Sequence, residues 1–119
     1  MNAEELRIGN YVQFTKGVIY KVDILYKDYA SLNAWNPIIL NEDWLLKLGF
    51  KEVKDEPRQW FRIKTKKQGV YLELRIKEKR VILFKDKGGC YSDYTFPKYV
   101  HQLQNLYFAL TQTELTVNL

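Results

Sequence analysis

Between Gln59 and Asp86 the chain reads as three consecutive runs with strand periodicity, QWFRIKT, GVYLELRI and RVILFKD, and no other stretch constrains the fold as much. In the middle run Val70, Leu72, Leu74 and Ile76 share one face, while Tyr71, Glu73, Arg75 and Lys77 share the other. The first run alternates likewise, with Phe61 and Ile63 on one side and Trp60, Arg62 and Lys64 on the other. The runs are separated by Lys66-Lys67-Gln68 and by Lys77-Glu78-Lys79-Arg80, connections short enough only for antiparallel neighbours. A three-stranded antiparallel meander follows, with one core face. The opposite face carries Trp60, Arg62, Lys64, Tyr71, Arg75 and Lys77. Val81-Ile82-Leu83-Phe84 is apolar on both faces, so part of that second face needs a cover, for which the N-terminal strands are available.

The flanking segments complete an α+β reading. LRIGNYVQFTKGVIYKVDIL opens with a Gly9-Asn10 turn, alternates through Phe14, turns again at Lys16-Gly17 and enters a β-branched run from Val18. It predicts two or three antiparallel strands that DYASLNAW extends, and it resembles the start of a small SH3-like or KOW-like barrel. NPIILNEDWLLKLGF predicts a short helix, with Asn41 as N-cap, Glu42 and Asp43 in the first turn, Trp44, Leu45 and Leu48 as the apolar face and Gly49 just past the end. DKGGCYSDYTF is a long glycine-containing loop, and such loops tend to carry function. A final amphipathic helix follows, with Pro97 in its first turn, Thr95 as cap, and Val100, Leu103, Tyr107 and Leu110 facing the core. Its opposite stripe is His101, Gln104, Asn105 and Phe108, which reads as the solvent side or as a row of hydrogen-bonding groups for a ligand. Gln104 to Phe108 looks like a protease-cleavage linker, but Ala109 stands where the linker has glutamine and the apolar spacing runs through it. Leu115, Val117 and Leu119 alternate with polar residues and predict a last strand.

The 119 residues suffice for one domain, residues 1–119, with one core. No apolar run approaches the length of a membrane helix, and the N-terminus is acidic with no signal-peptide core, so the expected place is the cytoplasm, without membrane. The single Cys90 excludes an internal disulfide, and one cysteine with one histidine makes no zinc set. No phosphate-binding glycine loop or metal-ligand spacing is present. Cys90 and His101 lack a surrounding catalytic signature, Glu42 and Asp43 are accounted for by capping, and Asp55 and Glu56 sit in a charged loop. The expectation is a protein that is not an enzyme and uses no cofactor.

The net charge of +5 is distributed unevenly. Residues 51–87 hold thirteen Lys or Arg against six Asp or Glu, whereas residues 1–50 and 88–119 each come to minus one. Basic residues alternating with aromatic ones on a sheet face suit phosphates and flat rings. The plainer reading is a solvated face with lysine-rich turns that discourage edge pairing. On the functional reading, the ligand-binding residues are Trp60, Arg62, Lys64, Tyr71, Arg75, Lys77, Tyr91, Tyr94 and His101, with the glycine loop closing over a small nucleotide-type ligand. Replacing Arg62 and Arg75 together should then abolish binding with the fold intact. Two other classes stand beside it: a nucleic-acid-binding module, and an interaction module using the aromatic surface of Trp35, Trp60 and Phe108. A homo-oligomer completing its site across a dimer interface is compatible with all three.

The blocks ELRIGNYV, LNEDWLLKLGF and YVHQLQNLYFALTQTELTV resemble small proteins encoded by phages and prophages of Bacteroidetes-type bacteria. The basic middle segment is not part of the match. The resemblance brings no activity and no functional residue. It implies a context in which small non-catalytic proteins bind something the host makes, including nucleotide signals of antiviral defence.

Overall fold

The computed structural model describes residues 6–13, 19–21, 36–53, 59–85 and 92–117. They belong to two compact units, one formed by residues 1–40 with 97–116 and the other by 41–96 with 117–119. The architecture is mixed α+β, with an antiparallel sheet of five strands and two helices.

In the second unit, α1 (Glu42–Lys47) forms as its sequence dictates. The Asn41 side chain accepts a hydrogen bond from the Trp44 N–H at 2.9 Å, satisfying one of the donors a helix start leaves open. At the other end the Gly49 N–H donates to the Leu46 carbonyl and the Phe50 N–H to the Leu45 carbonyl, the paired closure of a Schellman motif. That closure needs a left-handed residue, which Gly49 supplies at φ 97°. Lys47 lies in the last turn with its ammonium 5.1 Å from the Trp44 ring.

The sheet that follows has strand order β3 (Lys51–Glu52), β4 (Trp60–Lys64), β5 (Val70–Arg75), β6 (Arg80–Lys85) and β7 (Ser92–Tyr94), each antiparallel to the next. The expected meander is therefore its three central strands, with a short edge strand added on each side. The registers Phe61 with Leu74, Ile63 with Leu72 and Leu74 with Val81 put the apolar alternation of all three on one face. Phe61, Leu72, Leu74 and Val81 are fully buried, each contributing about 1.5–3 kcal/mol. The β5–β6 turn passes through Lys79 at φ 54°.

In the first unit, β1 (Tyr11–Gln13) pairs with β2 (Ile19–Lys21), and Gln13 bridges to Asn36. The expected continuation through DYASLNAW lies outside the described residues, as do Gly17, Trp35 and the charged loop at Asp55. Helix α2 (Val100–Thr111) begins three residues after Pro97 rather than on it. Its cap is Tyr99 in place of Thr95, and the Gln102 side chain accepts from the N–H groups of Lys98 and Tyr99. A main-chain ladder joins this start to Ile38 and Leu40, which fixes where the helix can begin.

The polar stripe of α2 is not a solvent side. His101 and Gln104 are as fully buried as Val100 and Leu103, while Leu110 is only half-buried. The Gln104 amide donates to the carbonyls of Gly9 and Leu115 and accepts from the Tyr11 N–H, so its burial leaves no bond unmade. Asn105 accepts from Arg7 and Asn10, and the Arg7 guanidinium also grips Glu114 and lies 4.3 Å from the Phe108 ring. The Gly9 turn runs at φ 100°, a conformation strained for any side chain, and a Cβ there would come within 3.2 Å of the Glu114 side chain. Residues 113–117 form no strand.

Candidate ligand-binding site

The face of the sheet opposite the core is assembled by strand register. Trp60 stands across from Arg75, Arg62 from Glu73, Lys64 from Tyr71, Tyr71 from Phe84 and Glu73 from Ile82. Lys51 of β3 sits opposite Arg62 and Asp93 of β7 opposite Ile82, so all five strands contribute.

At its centre is Glu73, whose side chain is only 1 % exposed. One carboxylate oxygen accepts from Nε and Nη2 of Arg62 at 3.2 and 2.9 Å, and the other from Nε of Arg75 at 2.8 Å. Nη1 of Arg75 forms an ion pair with Oε2 of Glu78 at 3.9 Å. Both guanidinium groups lie over aromatic rings. Arg75 is 3.7 Å from the Trp60 centroid, and Arg62 is 4.9 Å from that of Phe84 and 5.5 Å from that of Tyr71. Tyr71 and Phe84 are themselves stacked at 5.5 Å. The cover that Ile82 and Phe84 needed thus includes long arginine side chains of their own sheet, which shield apolar surface while their heads stay partly wet. Arg62 and Arg75 remain 36 % and 20 % exposed.

Of the five N–H groups on each guanidinium, Arg62 commits two to Glu73 and Arg75 one. Among the described residues, three N–H groups of Arg62 and four of Arg75 make no hydrogen bond, and the Nη1 end of Arg75 is ion-paired with Glu78. The Trp60 indole N–H is buried without a hydrogen bond.

Beside this layer the β4–β5 hairpin encloses a cleft of about 500 Å³ lined by Lys64, Thr65, Lys67, Gln68, Gly69, Val70 and Tyr71. Tyr71 is shared between cleft and layer.

Trp60, Arg62, Lys64, Tyr71 and Arg75 are therefore brought together as the alternation predicts. Lys77 lies past the end of β5, exposed in the turn. Tyr94 pairs with Val81 and so belongs to the core face. His101 sits in the other unit, fully buried, its ring stacked on Tyr99 at 5.8 Å. Tyr91, with Gly88, Gly89 and Cys90 of the expected closing loop, lies outside the described residues. Sequence reasoning placed Glu73 on this face and gave it no role. The available signal was an acid in alternation with Arg75 and facing a run that holds Arg62.

Among the described residues no group of three or more acidic, cysteine or histidine side chains gathers to hold a metal. No helix among them is long and apolar enough to cross a membrane. No family model, curated protein or solved structure matches the chain.

Proposed function

We propose that this is a non-catalytic binding protein whose basic sheet face takes a small phosphate-bearing nucleotide. The observation that carries the reading is the pair of guanidinium groups, each held over an aromatic ring and fixed by Glu73, with N–H groups on both that make no hydrogen bond among the described residues. Flat, preorganised, partly exposed cations are what a nucleobase stacks on, and their N–H groups donate to its oxygens. Fixing them in advance lowers the ordering cost of binding. In the phage setting that the sequence blocks suggest, such a protein would sequester a nucleotide signal made by the host.

The test is to purify the protein from cells of the type that would host it, denature it and identify the released small molecules by mass spectrometry. A phosphorylated nucleotide in one-to-one amount is the expected result. Protein that arrives empty, and then binds no nucleotide in equilibrium dialysis against infected-cell extract, rejects the proposal.

A second reading is favoured by the spread of aromatic and cationic residues over three adjacent strands, which suits single-stranded nucleic acid. It was also suggested by the barrel-like opening, of which the described residues comprise a two-stranded ladder. It requires affinity that grows with strand length and falls steeply with salt. One-to-one binding of a mononucleotide with a shallow salt response removes it.

A further inference from the structure

The sheet face holds two guanidinium groups over rings, and the spacing between them is fixed. Arg75 lies over Trp60, Arg62 lies over Phe84 and Tyr71, and both donate to the same carboxylate, at 2.8 and 2.9 Å. Glu73 is buried on the central strand, so it sets how far apart the pair stands as well as holding it in place. The register puts Arg62 across from Glu73 and Trp60 across from Arg75, which makes the two arginines diagonal neighbours. Side chains so related start about 7 Å apart. That is roughly twice the ~3.4 Å rise between stacked bases of one strand. Two rings therefore fit side by side, each over its own guanidinium, in the way that other sheet faces take neighbouring bases one per stacking group.

The charge balance points the same way. Glu73 offsets one of the two guanidinium charges, and Lys51, exposed across from Arg62, keeps the face positive. A terminal phosphate would bring about two negative charges close to a buried carboxylate, and like charges at such range oppose one another. A phosphodiester brings one. Two bases joined by a diester thus suit this face better than one base with a terminal phosphate. Among the described residues of this unit no third guanidinium lies over a ring, and Arg80 instead pairs with Asp93 at 3.1 Å.

We infer that the ligand of this site is a dinucleotide, with one base on the Arg75–Trp60 pair, the other on Arg62 above Phe84 and Tyr71, and a single phosphodiester between them. The inference rests on the nucleotide reading above and adds the class of nucleotide. It makes the number of rings, not the number of phosphate charges, the determinant of affinity.

The test titrates the whole chain, followed by backbone amide spectra, with three ligand sets built from the common ribonucleosides: nucleoside monophosphates, dinucleoside monophosphates and their trinucleotide extensions. A dinucleoside monophosphate has one more ring and about one less charge than a nucleoside monophosphate. The favoured one should bind one-to-one, about tenfold or more tighter than either of its nucleoside monophosphates, with a third nucleotide adding less than about twofold. Arg62→Lys and Arg75→Lys each leave Glu73 a cation but remove a planar group. Each should cost the dinucleotide about tenfold and a nucleoside monophosphate no more than about twofold, because the other group still takes one ring. Should a variant fail to fold, the ligand series on the natural protein decides alone. A nucleoside monophosphate that binds as tightly as any dinucleotide, or is lost in one lysine variant and untouched in the other, overturns the inference while the nucleotide reading survives. Affinity that keeps climbing at the third nucleotide overturns it in favour of a longer strand. No response to any of these ligands ends both.

Discussion

Removing Arg62 and Arg75 together should destabilise the second unit rather than merely silence it. Glu73 is 1 % exposed, and every bond its side chain makes in the described structure goes to these two residues. In Arg62→Met/Arg75→Met the apolar stems still cover the rings, but the carboxylate is left buried and unpaired, at a cost of about 3–5 kcal/mol. Glu73→Leu is the milder change. The arginines it strands are 36 % and 20 % exposed and can turn to water, so the loss is about 1–2 kcal/mol, charge-assisted bonds forfeited against apolar burial gained. Adding Glu73→Leu to the double variant should therefore restore stability to within about 1 kcal/mol of Glu73→Leu alone. At about 4 °C per kcal/mol for a chain of this size, the double variant should melt about 12–20 °C lower, Glu73→Leu about 4–8 °C lower, and the triple variant within about 4 °C of Glu73→Leu. Urea and thermal unfolding followed by circular dichroism measure this without relying on Trp60, which lies under Arg75. A double variant no less stable than Glu73→Leu, or a triple variant whose losses simply add, would refute the view of these side chains as one unit. The expectation that both arginines can be exchanged with the fold intact changes accordingly, and a binding assay on that pair is read below its lowered melting temperature.

Gly49→Ala should cost about 1–2 kcal/mol, because φ 97° is strained for a side chain although a Cβ there meets Ile63 only at an ordinary 3.7 Å; urea midpoints give the value, and no change would mean the Schellman closure relaxes freely. Gln104→Leu, close in volume, leaves the Gly9 and Leu115 carbonyls and the Tyr11 N–H without their bonds and should cost about 2–4 kcal/mol, checked in the same way. Burial pushes the Tyr107 phenol above its ordinary value of 10.0, with a hydrogen bond from Thr111 acting the other way. An acid raised in the folded state ionises first in the unfolded chain, so this stabilisation is complete below about pH 10 and is lost as pH rises through the folded value. Tyr107→Phe should flatten that alkaline decline, and a decline identical to the natural protein's would assign it to other groups.

The parts legible in the sequence were those with a repeating or local cause. The period of two in residues 60–76 fixed which side chains share a face, and Asn41 and Gly49 marked both ends of α1, since capping and closure are satisfied within a few residues. The start of α2 was misplaced because Pro97 and Thr95 are valid local signals that a longer-range ladder from Ile38 and Leu40 overrides. Gln104 was read as facing outward because periodicity counts polarity. It does not count whether carbonyls from residues 9 and 115 stand ready to accept an amide. Glu73 is the same kind of case. Alternation put it beside cations, but only the register with Arg62 shows that one acid closes two arginines.

That register also bears on why the most basic part of the chain buries one of its few acids. Arg62, Arg75, Lys64 and Lys51 occupy neighbouring positions on one face, and like charges across strands destabilise a sheet. A lone carboxylate between two guanidiniums converts that repulsion into attraction and orients both planes, which free lysines, lacking a planar fork, would not do. The same carboxylate makes the arginines worse receptors for a second anion. A chain that needed only solubility on this face had simpler choices in lysine and threonine. A chain that needed a flat cationic surface for a ring would place its residues as they stand here, and the small molecules released from the denatured protein separate these cases, because solubility alone predicts that none is held.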